Sequence, residues 1–198
     1  MSNYLKIFNT IKSFNKTIQI EGDKSLSIRW ALIASQAKGK SISSNLLKSE
    51  DVISTLNCLK KLGVKIKNKN NSCEIIGKGL NSFKYKKDLI LNAGNSGTLG
   101  RLIMGLLIHS KVKIKITGDK SLSKRDFLRV VKPLKKFGAK IYTNKGKLPI
   151  SILGTSDPKP IKYFEKIGSA QCKSSVILAT LNTKGTTVIK AKKSRDHT

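Results

Sequence analysis

GDKSLSIR at residues 22–29 and GDKSLSKR at residues 118–125 are two copies of one octapeptide, and LKKLGVKI at 59–66 likewise returns as LKKFGAKI at 134–141. Such internal repetition predicts a chain assembled from copies of one supersecondary unit. The first pair is 96 residues apart and the second pair 75. From the unequal offsets we expect related units that carry different insertions.

Hydrophobic periodicity predicts a similar order of strands and helices in each unit. The predicted helices span 25–37, 51–62, 92–110 (opened by a glycine-rich turn), 127–139 and 169–185, and the predicted strands 16–22, 41–47, 64–67, 113–117 and 186–191, with a β-rich stretch at 73–91. Gly39 and Gly63 are expected to end the first two helices, and Pro133 to kink or divide the fourth. Helices and strands that alternate without a long loop predict an α/β fold.

The net charge of +29, with a pI near 10.3, is the most unusual feature of the composition. A charge of this size is typical of nucleic-acid-binding proteins. Of the 40 basic residues, however, 35 are lysines spread through every segment, without the basic stripe and interleaved aromatics of a single-strand binder. The arginines are more informative, because only the planar guanidinium binds an anion with two parallel hydrogen bonds. They are Arg29, Arg101, Arg125, Arg129 and Arg195.

Residues able to hold a metal or act as nucleophiles are few. Cys58, Cys73 and Cys172 have neither metal-ligand spacing nor an even number for disulfides, so we expect buried, reduced thiols. With two histidines and no paired carboxylates, the sequence contains no zinc-site pattern and no obvious general base. It also lacks a long apolar run and a secretory signal, and the cytoplasm is the expected location.

Four turns rich in small residues lie at or near predicted helix N-termini, where free backbone N–H groups and the helix dipole attract anions. They are GDKSLSIR (22–29), NAGNSGT (92–98) followed by Arg101, KSLSKR (120–125) and GSAQCKS (168–174). Each combines glycine or serine with a lysine, an arginine or an amide that can bind an anion. Taken singly, the first two turns fit a capped helix start and a tight strand-to-helix turn as well as an anion site, and the fourth fits a polar helix start better.

In this order the four turns, together with LNTKGTTVI (181–189) and SRDHT (194–198), resemble the EPSP synthase family over residues 18–198. SAQCKS and SRDHT are closer to the bacterial branch called class II. The resemblance implies an inside-out α/β enolpyruvyl transferase domain built from repeated βαβαββ-type units. It implies a transferase that moves the enolpyruvyl group of phosphoenolpyruvate to the 5-hydroxyl of shikimate 3-phosphate and releases phosphate, in chorismate and aromatic amino acid biosynthesis. The family uses no metal and no organic cofactor.

Matched residue by residue, the resemblance assigns side chains to both substrates. For shikimate 3-phosphate they are Lys24, Ser25, Arg29, Ser169, Ala170, Gln171 and Arg195, and for phosphoenolpyruvate Lys24, Asn95, Gly97, Arg125 and Gln171. Clustered cations allow two polyanions to be held together against their mutual repulsion. The proline that commonly follows the third turn is Asp126 here, a carboxylate that either tunes or weakens anion binding by Arg125 or serves the following helix start.

The resemblance also sets the expected domain limits. Residues 1–17 are expected to form strands of a second, mostly missing domain, and 18–198 the N-terminal domain. The family's acid and base carboxylates come from a C-terminal half that this sequence lacks, so no catalytic residue is assigned and the chain alone is expected to be inactive. Its expected partners are the two anionic substrates and the C-terminal domain of the same enzyme, with neither nucleic acid nor membrane. The full-length enzyme is expected to be a monomer.

Two alternatives remain open from the sequence. A UDP-N-acetylglucosamine enolpyruvyl transferase has asparagine after the first lysine and a reactive cysteine in a mobile loop, whereas Ser25 follows Lys24 here and 118–125 contains no cysteine. A basic RNA-binding protein is the second alternative, because of the charge and because an RNA-phosphate cyclase family has similar repeat units.

Overall fold

The structure, a computed structural model, describes residues 20–69 and 72–192 together with the isolated positions 13, 15, 17 and 18. In chain order the elements are α1 (Lys24–Ala34), β1 (Lys38–Ser44), α2 (Glu50–Lys61), β2 (Lys65–Lys69), β3 (Ser72–Lys78), β4 (Ile90–Asn92), α3 (Gly97–Leu106), β5 (Ile114–Thr117), a 3-10 turn (Leu122–Lys124), α4 (Leu128–Lys136), β6 (Lys140–Asn144), β7 (Lys147–Leu153), β8 (Lys162–Glu165), α5 (Ala170–Thr180) and β9 (Val188–Ala191). The predicted α/β class is confirmed.

The sheets repeat one topology. β1, β3 and β2 form an antiparallel sheet in that order, and β5, β7 and β6 form the same antiparallel arrangement in the second unit. There β4 adds to β5 in parallel, and β8 pairs with β9 in parallel in the same way. The second unit therefore reads β4-α3-β5-α4-β6-β7, which is the predicted βαβαββ order.

The two octapeptides are not equivalent positions of the repeat, which corrects the expectation of differing insertions. GDKSLSIR (22–29) precedes and enters α1, the first helix of its unit, whereas GDKSLSKR (118–125) follows β5 and precedes α4, the second helix of its unit. Both copies nevertheless cap in the same way: the carboxylate of Asp23 accepts from Leu26 N at 2.7 Å, and that of Asp119 from Leu122 N at 2.6 Å. One local capping sequence thus serves two different places in the unit.

α3 occupies the interior, whereas α2, α4 and the sheets each keep an exposed face. α3 is buried at every position except Arg101, which is half-buried. In β3 the side chains of Cys73 and Ile75 point into the core, while on β2 Lys67 and Lys69 are exposed. The arrangement is consistent with the inside-out architecture that the family resemblance implies.

Several element boundaries differ from the sequence prediction. No strand is assigned at the described positions of 16–22, where the chain turns across the end of β1: Asn45 Nδ2 donates to Ile20 O at 3.0 Å. α1 ends at Ala34 rather than 37, and Gly39, at a φ of 108°, lies inside β1. Gly63 does end α2, at a φ of 84°.

The fourth helix is not divided at its proline. Pro133 lies inside α4, which is one helix from Leu128 to Lys136. The fifth helix is shorter than predicted and ends at Thr180, whose hydroxyl donates to Ile177 O at 2.6 Å. The competing hydrogen bond to the backbone is typical of a helix that is about to end.

The cysteines are free and buried, as predicted. Burial raises the pKa of the Cys58 thiol to about 11, and it also raises the pKa of Cys73 and of Cys172. A thiol that stays protonated at neutral pH is a poor nucleophile. These three side chains are therefore core residues.

Two glycines of α3 provide a matched test of helix packing. A Cβ at Gly105 would lie 2.1 Å from the carbonyl oxygen of Ser175 in α5, whereas at Gly100 the nearest atom, on Phe127, is 3.4 Å away. We expect Gly105→Ala to lower the free energy of unfolding by about 2 kcal/mol or more through overpacking. Gly100→Ala, with the same gain in helix propensity, should stay within about 1 kcal/mol of the parent chain. Urea unfolding measures both, and equal effects would contradict the packing argument.

His109 makes stability depend on pH. Its Nε2 is buried without a hydrogen-bond partner in the described part of the chain, and burial lowers its pKa below the ordinary 6.5. The folded chain therefore resists protonation that the unfolded chain accepts, so stability is lost as pH falls below about 6.5 through the lowered pKa. We expect His109→Gln to reduce the loss of urea resistance between about pH 8 and about pH 5.5. If parent and variant lost the same urea resistance over this pH range, His109 would not be the source of the pH dependence.

Candidate functional site

The starts of α3 and α5 lie side by side because the two helices contact each other at successive levels. Gln171 Nε2 donates to Thr98 Oγ1 at 3.0 Å, and Ser175 Oγ donates to the carbonyl of Arg101 at 2.8 Å. One turn further on, the carbonyl of Ser175 lies against Gly105. Two helix N-termini, each able to attract an anion, are thereby brought to one place.

Two guanidinium groups lie close to the backbone at the start of α3. Ser96 is the N-cap residue, and its hydroxyl accepts from Leu99 N at 3.2 Å. A Cβ on Gly97 would lie 2.8 Å from Nη1 of Arg101 and 3.2 Å from Nη1 of Arg125. Glycine is therefore required here if both arginines are to keep their positions.

Asn95 connects the start of α3 to the 3-10 turn. Its Nδ2 donates to Asp119 Oδ2 at 2.5 Å, and its Oδ1 accepts from Nη2 of Arg125 at 2.9 Å. The Leu122 N–H bond to Asp119 lowers the pKa of this carboxyl, and the Asn95 bond lowers it further. The charged Asp119 thus holds Asn95, which in turn holds Arg125 beside Gly97.

The start of α5 is shaped by a buried carboxylate and a glycine. Glu165 is almost fully buried, and its Oε1 accepts from Ile167 N at 3.0 Å. Gly168, at a φ of 75°, then turns the chain into the helix, a conformation that favours glycine. Ser169 is the N-cap residue, with its hydroxyl accepting from Cys172 N at 3.3 Å.

The start of α1 carries two further cations. Lys24 is the first residue of the helix, and its ammonium lies 3.4 Å from the carboxylate of Asp51 at the start of α2. Arg29 donates through Nη1 to Ser25 O and through Nη2 to Ser174 Oγ, both at 3.2 Å. The second bond joins α1 to α5. The N-termini of α1, α3 and α5 and the 3-10 turn with Arg125 are called the terminus cluster below.

Burial shapes the electrostatics of the terminus cluster. Nε of Arg29 is buried with no hydrogen-bond partner among residues 20–69 and 72–192, and burial lowers the pKa of this guanidinium while the charge of Asp23 opposes the shift. Burial also lowers the pKa of Arg101, and the neighbouring Arg125 and Arg129 add to the effect. Arginine stays protonated despite such shifts. The result is a concentration of fixed positive charge with poor hydration, which an anion would relieve.

The nearby carboxylates already have partners. Asp51 pairs with Lys24, Asp119 accepts from Leu122 N and Asn95, and Asp126 Oδ1 accepts from Leu128 N at 2.9 Å. Within the described ranges no group of three or more His, Cys, Asp or Glu side chains could hold a metal ion. The arrangement can bind and orient anions. In the same part of the chain, no helix is long and apolar enough to cross a membrane.

A sequence model of the family described as EPSP synthase (3-phosphoshikimate 1-carboxyvinyltransferase) matches residues 8–198. The chain belongs to the EPSP synthase family. Over 191 residues, covering 94% of the chain, it is 44% identical to the 3-phosphoshikimate 1-carboxyvinyltransferase of Petrotoga mobilis. Over 185 residues, covering 92% of the chain, it is 43% identical to the enzyme of that name from Streptococcus pyogenes serotype M2.

The solved structures agree with this family. The EPSP synthase of Acinetobacter baumannii matches with a TM-score of 0.86 and 38% sequence identity, over 91% of this chain and 41% of that one. The chain spans 44% of the length of the Petrotoga mobilis relative and 43% of the Streptococcus pyogenes relative. It therefore corresponds to less than half of these EPSP synthases.

Most side chains that the sequence assigns to substrates lie in the terminus cluster. Asn95, Gly97 and Arg125 are in direct contact around the start of α3, and Gln171 reaches them through Arg101. Further assigned residues stand at the starts of α1 and α5, namely Lys24, Ser25, Arg29, Ser169 and Ala170. Arg195 lies outside the described residues. The ligand assigned to each residue stays a prediction.

Sequence reasoning missed the residues that hold this cluster together. No pattern in the sequence indicates the Asn95–Asp119 and Gln171–Thr98 hydrogen bonds or the ion pair of Lys24 with Asp51. Asp119 could have been recognised, since it repeats the capping position of Asp23. Asp126 accepts from Leu128 N at the start of α4, which favours the helix-start interpretation of this carboxylate.

The Asn95–Asp119 contact predicts a measurable titration. We expect Asn95→Ala to raise the pKa of Asp119, because the variant removes a donor that stabilises the carboxylate. Asn92→Ala is the matched control, since Oδ1 of Asn92 accepts from Gly94 N in the same loop. Carboxyl ¹³C NMR of the purified chain measures both titrations. An unchanged Asp119 pKa in Asn95→Ala, or an equal rise in the control, would show that this bond does not hold the carboxylate.

Proposed function

We propose that this chain supplies the anion-binding part of a 3-phosphoshikimate 1-carboxyvinyltransferase. The complete enzyme transfers the enolpyruvyl group of phosphoenolpyruvate to the 5-hydroxyl of shikimate 3-phosphate and releases phosphate. The observation that carries the proposal is the convergence of Arg125, Asn95 and Gly97 with Gln171 at two adjoining helix starts. Membership of the EPSP synthase family supports the choice of substrates.

The proposed position of shikimate 3-phosphate is at the starts of α5 and α1. Ser169, Ala170 and Gln171 offer backbone N–H groups and an amide at the start of α5. Arg29 is tied to this helix through Ser174, and Lys24 opens the neighbouring helix. Further proposed ligands of the same substrate are Ser25 and Arg195.

The proposed position of phosphoenolpyruvate is at the start of α3. Gly97 lets the guanidinium groups of Arg101 and Arg125 come close to the backbone, and Arg125 stands beside it on the 3-10 turn, exposed and held by Asn95. Gln171 lies between the two proposed substrates, and Lys24 is proposed to contact both. Holding two anions at adjoining sites converts their encounter into an oriented reaction.

We assign no catalytic acid or base within this chain. The carboxylates nearest the cluster, on Asp51, Asp119 and Asp126, are engaged by a lysine or by backbone and amide donors. The proposed division of labour is that the chain binds both substrates and stabilises charge on the departing phosphate. The proton transfers of addition and elimination then belong to the part of the enzyme that this chain does not span. The proposed reaction needs no metal and no organic cofactor.

The domain limits, location and assembly remain predictions. Residues 18–198 are proposed as the N-terminal domain, with 1–17 belonging to the other domain and that second domain as the main protein partner. A cytoplasmic monomer that binds neither nucleic acid nor membrane is proposed for the full-length enzyme. The names of the relatives weigh against a UDP-N-acetylglucosamine transferase, and the convergence of Arg101 and Arg125 on Gly97 weighs against a basic RNA-binding protein.

Activity is tested with a chimera. The chain is fused to the remaining part of the Streptococcus pyogenes relative, and phosphate release is measured with both substrates. We expect turnover by the chimera and none by the chain alone, because the proton-transferring groups are proposed to lie outside it. Arg125→Ala in the chimera should lower kcat/KM by about 100-fold or more, the cost of a lost charged hydrogen bond in a site.

Lys132→Ala is the matched control, because Lys132 is an exposed cation of the following helix that is not among the proposed ligands. Its kcat/KM should stay within about threefold of the parent chimera. Turnover by the chain alone would contradict the division of labour. A folded chimera without activity, or equal losses in the two variants, would contradict the proposed site.

A further inference from the structure

Arg101 stands at the centre of the terminus cluster but directs its donors at the protein. Nη1 donates to Oε1 of Gln171 at 2.7 Å and lies 3.4 Å from the carbonyl of Gly97, while Nη2 donates to the carbonyl of Asp126 at 3.0 Å. The guanidinium also covers the ring of Phe127, with 4.8 Å between its central carbon and the ring centroid. One half-buried side chain thus joins α3, α5 and the segment between the 3-10 turn and α4.

Arg101 differs in this from the exposed Arg125. Arg125 ends the 3-10 turn with its guanidinium at the surface, held by the amide oxygen of Asn95. The guanidinium of Arg101 is half-buried and stacked on a fully buried phenylalanine, and its two terminal nitrogens meet three oxygen acceptors of the protein. A planar fork of this kind fixes the groups it bonds more strictly than a lysine ammonium does.

The contact with Arg101 determines the orientation of the Gln171 side-chain amide. Its oxygen accepts from Arg101 and its nitrogen donates to Thr98, so both ends of the amide have a partner of the right polarity. The reversed amide would place an NH2 group against a guanidinium and lose the bond to Arg101, whereas the Thr98 hydroxyl can serve either orientation because it both donates and accepts. The amide that adjoins both proposed substrates is therefore held in one orientation before any ligand binds.

We propose that Arg101 is a positioning residue: it orients Gln171 and fixes the Asp126 carbonyl next to Arg125, and it does not itself bind a substrate anion. The proposal rests on the proposed function for the identity of the ligand. A simple sequence interpretation would count every arginine of these turns as an anion ligand. The structure assigns Arg101 to the support of the ligands instead.

The first test reads the orientation of Gln171 without any substrate. In ¹⁵N-labelled chain, Arg101→Lys keeps the charge but removes the fork, and we expect the Gln171 side-chain amide resonances to move towards those of a solvent-exposed glutamine. Arg125→Lys is the matched control and should leave these resonances in place. Unchanged Gln171 resonances in Arg101→Lys would overturn the proposal.

The second test is a double-mutant cycle on the binding of shikimate 3-phosphate, measured by calorimetry with the full chain. Arg101→Lys should weaken binding by about tenfold when Gln171 is present, since an oriented hydrogen bond to a charged ligand is lost. In a Gln171→Leu background the same change should alter affinity by less than about twofold, because residues that act through one another are not additive. Equal losses in both backgrounds would mean direct contact between Arg101 and the ligand, and would overturn the proposal.

A third measurement needs no variant and therefore holds even if Arg101→Lys fails to fold. On addition of shikimate 3-phosphate and phosphoenolpyruvate to the parent chain, the guanidinium resonances of Arg125 should shift more than those of Arg101. The opposite order would overturn the proposal. A chain that binds neither ligand would contradict the proposed function, while the Gln171 resonances would still decide whether Arg101 orients that amide.

Discussion

The close approach of α3 and α5 is the constraint on which the site depends. Gly105 allows α5 to come so near that the carbonyl of Ser175 occupies the space of a side chain. A larger residue there would push the helices apart, and the starts of both helices would move with them. Thr98, Gln171 and Arg101 form their hydrogen bonds across this same interface. The packing of the core therefore also determines the geometry of the terminus cluster.

Hydrogen bonding then converts this packing into a defined arrangement of charge. Two carboxylates stand near the arginines, and both Asp119 and Asp126 also accept backbone hydrogen bonds that cap turns. The guanidinium groups of Arg29 and Arg101 are partly buried, and both donate hydrogen bonds to other side chains of the chain. Desolvated cations with fixed directions bind an anion with less reorganisation than mobile surface lysines can.

Much of the fold could be predicted from sequence, since apolar periodicity and glycine stops are local signals. The stop at Gly63 follows from a positive φ that glycine adopts readily. The alternation of strands and helices indicates the α/β class, whereas the βαβαββ order came from the family resemblance. The end of α1 could not be predicted, because it depends on a distant contact: the carbonyl of Ala37 accepts from Gly79 N at 2.9 Å. The repeated octapeptide misled for a related reason. The octapeptide is a capping sequence, and such a sequence can stand before either helix of a unit.

For the site, the sequence motifs located the helix starts and their cations, but they did not distinguish the roles of the individual arginines. The distinction between Arg101 and Arg125 comes from Phe127 and Gln171, which approach Arg101 from other segments of the chain. Likewise the pairing of Lys24 with Asp51 joins two helix starts that no local pattern relates. Non-local neighbours decide what a charged group does, and a single sequence does not contain their positions.

The outward sheets explain how so basic a chain can keep an ordinary core. On β2 every second residue, Lys65, Lys67 and Lys69, is exposed, and none of them is among the proposed ligands. Surface composition and binding chemistry are therefore nearly independent in this architecture. The outer faces could be recoded with glutamate or glutamine to improve colloidal behaviour or crystal growth, while the helix interior stays untouched.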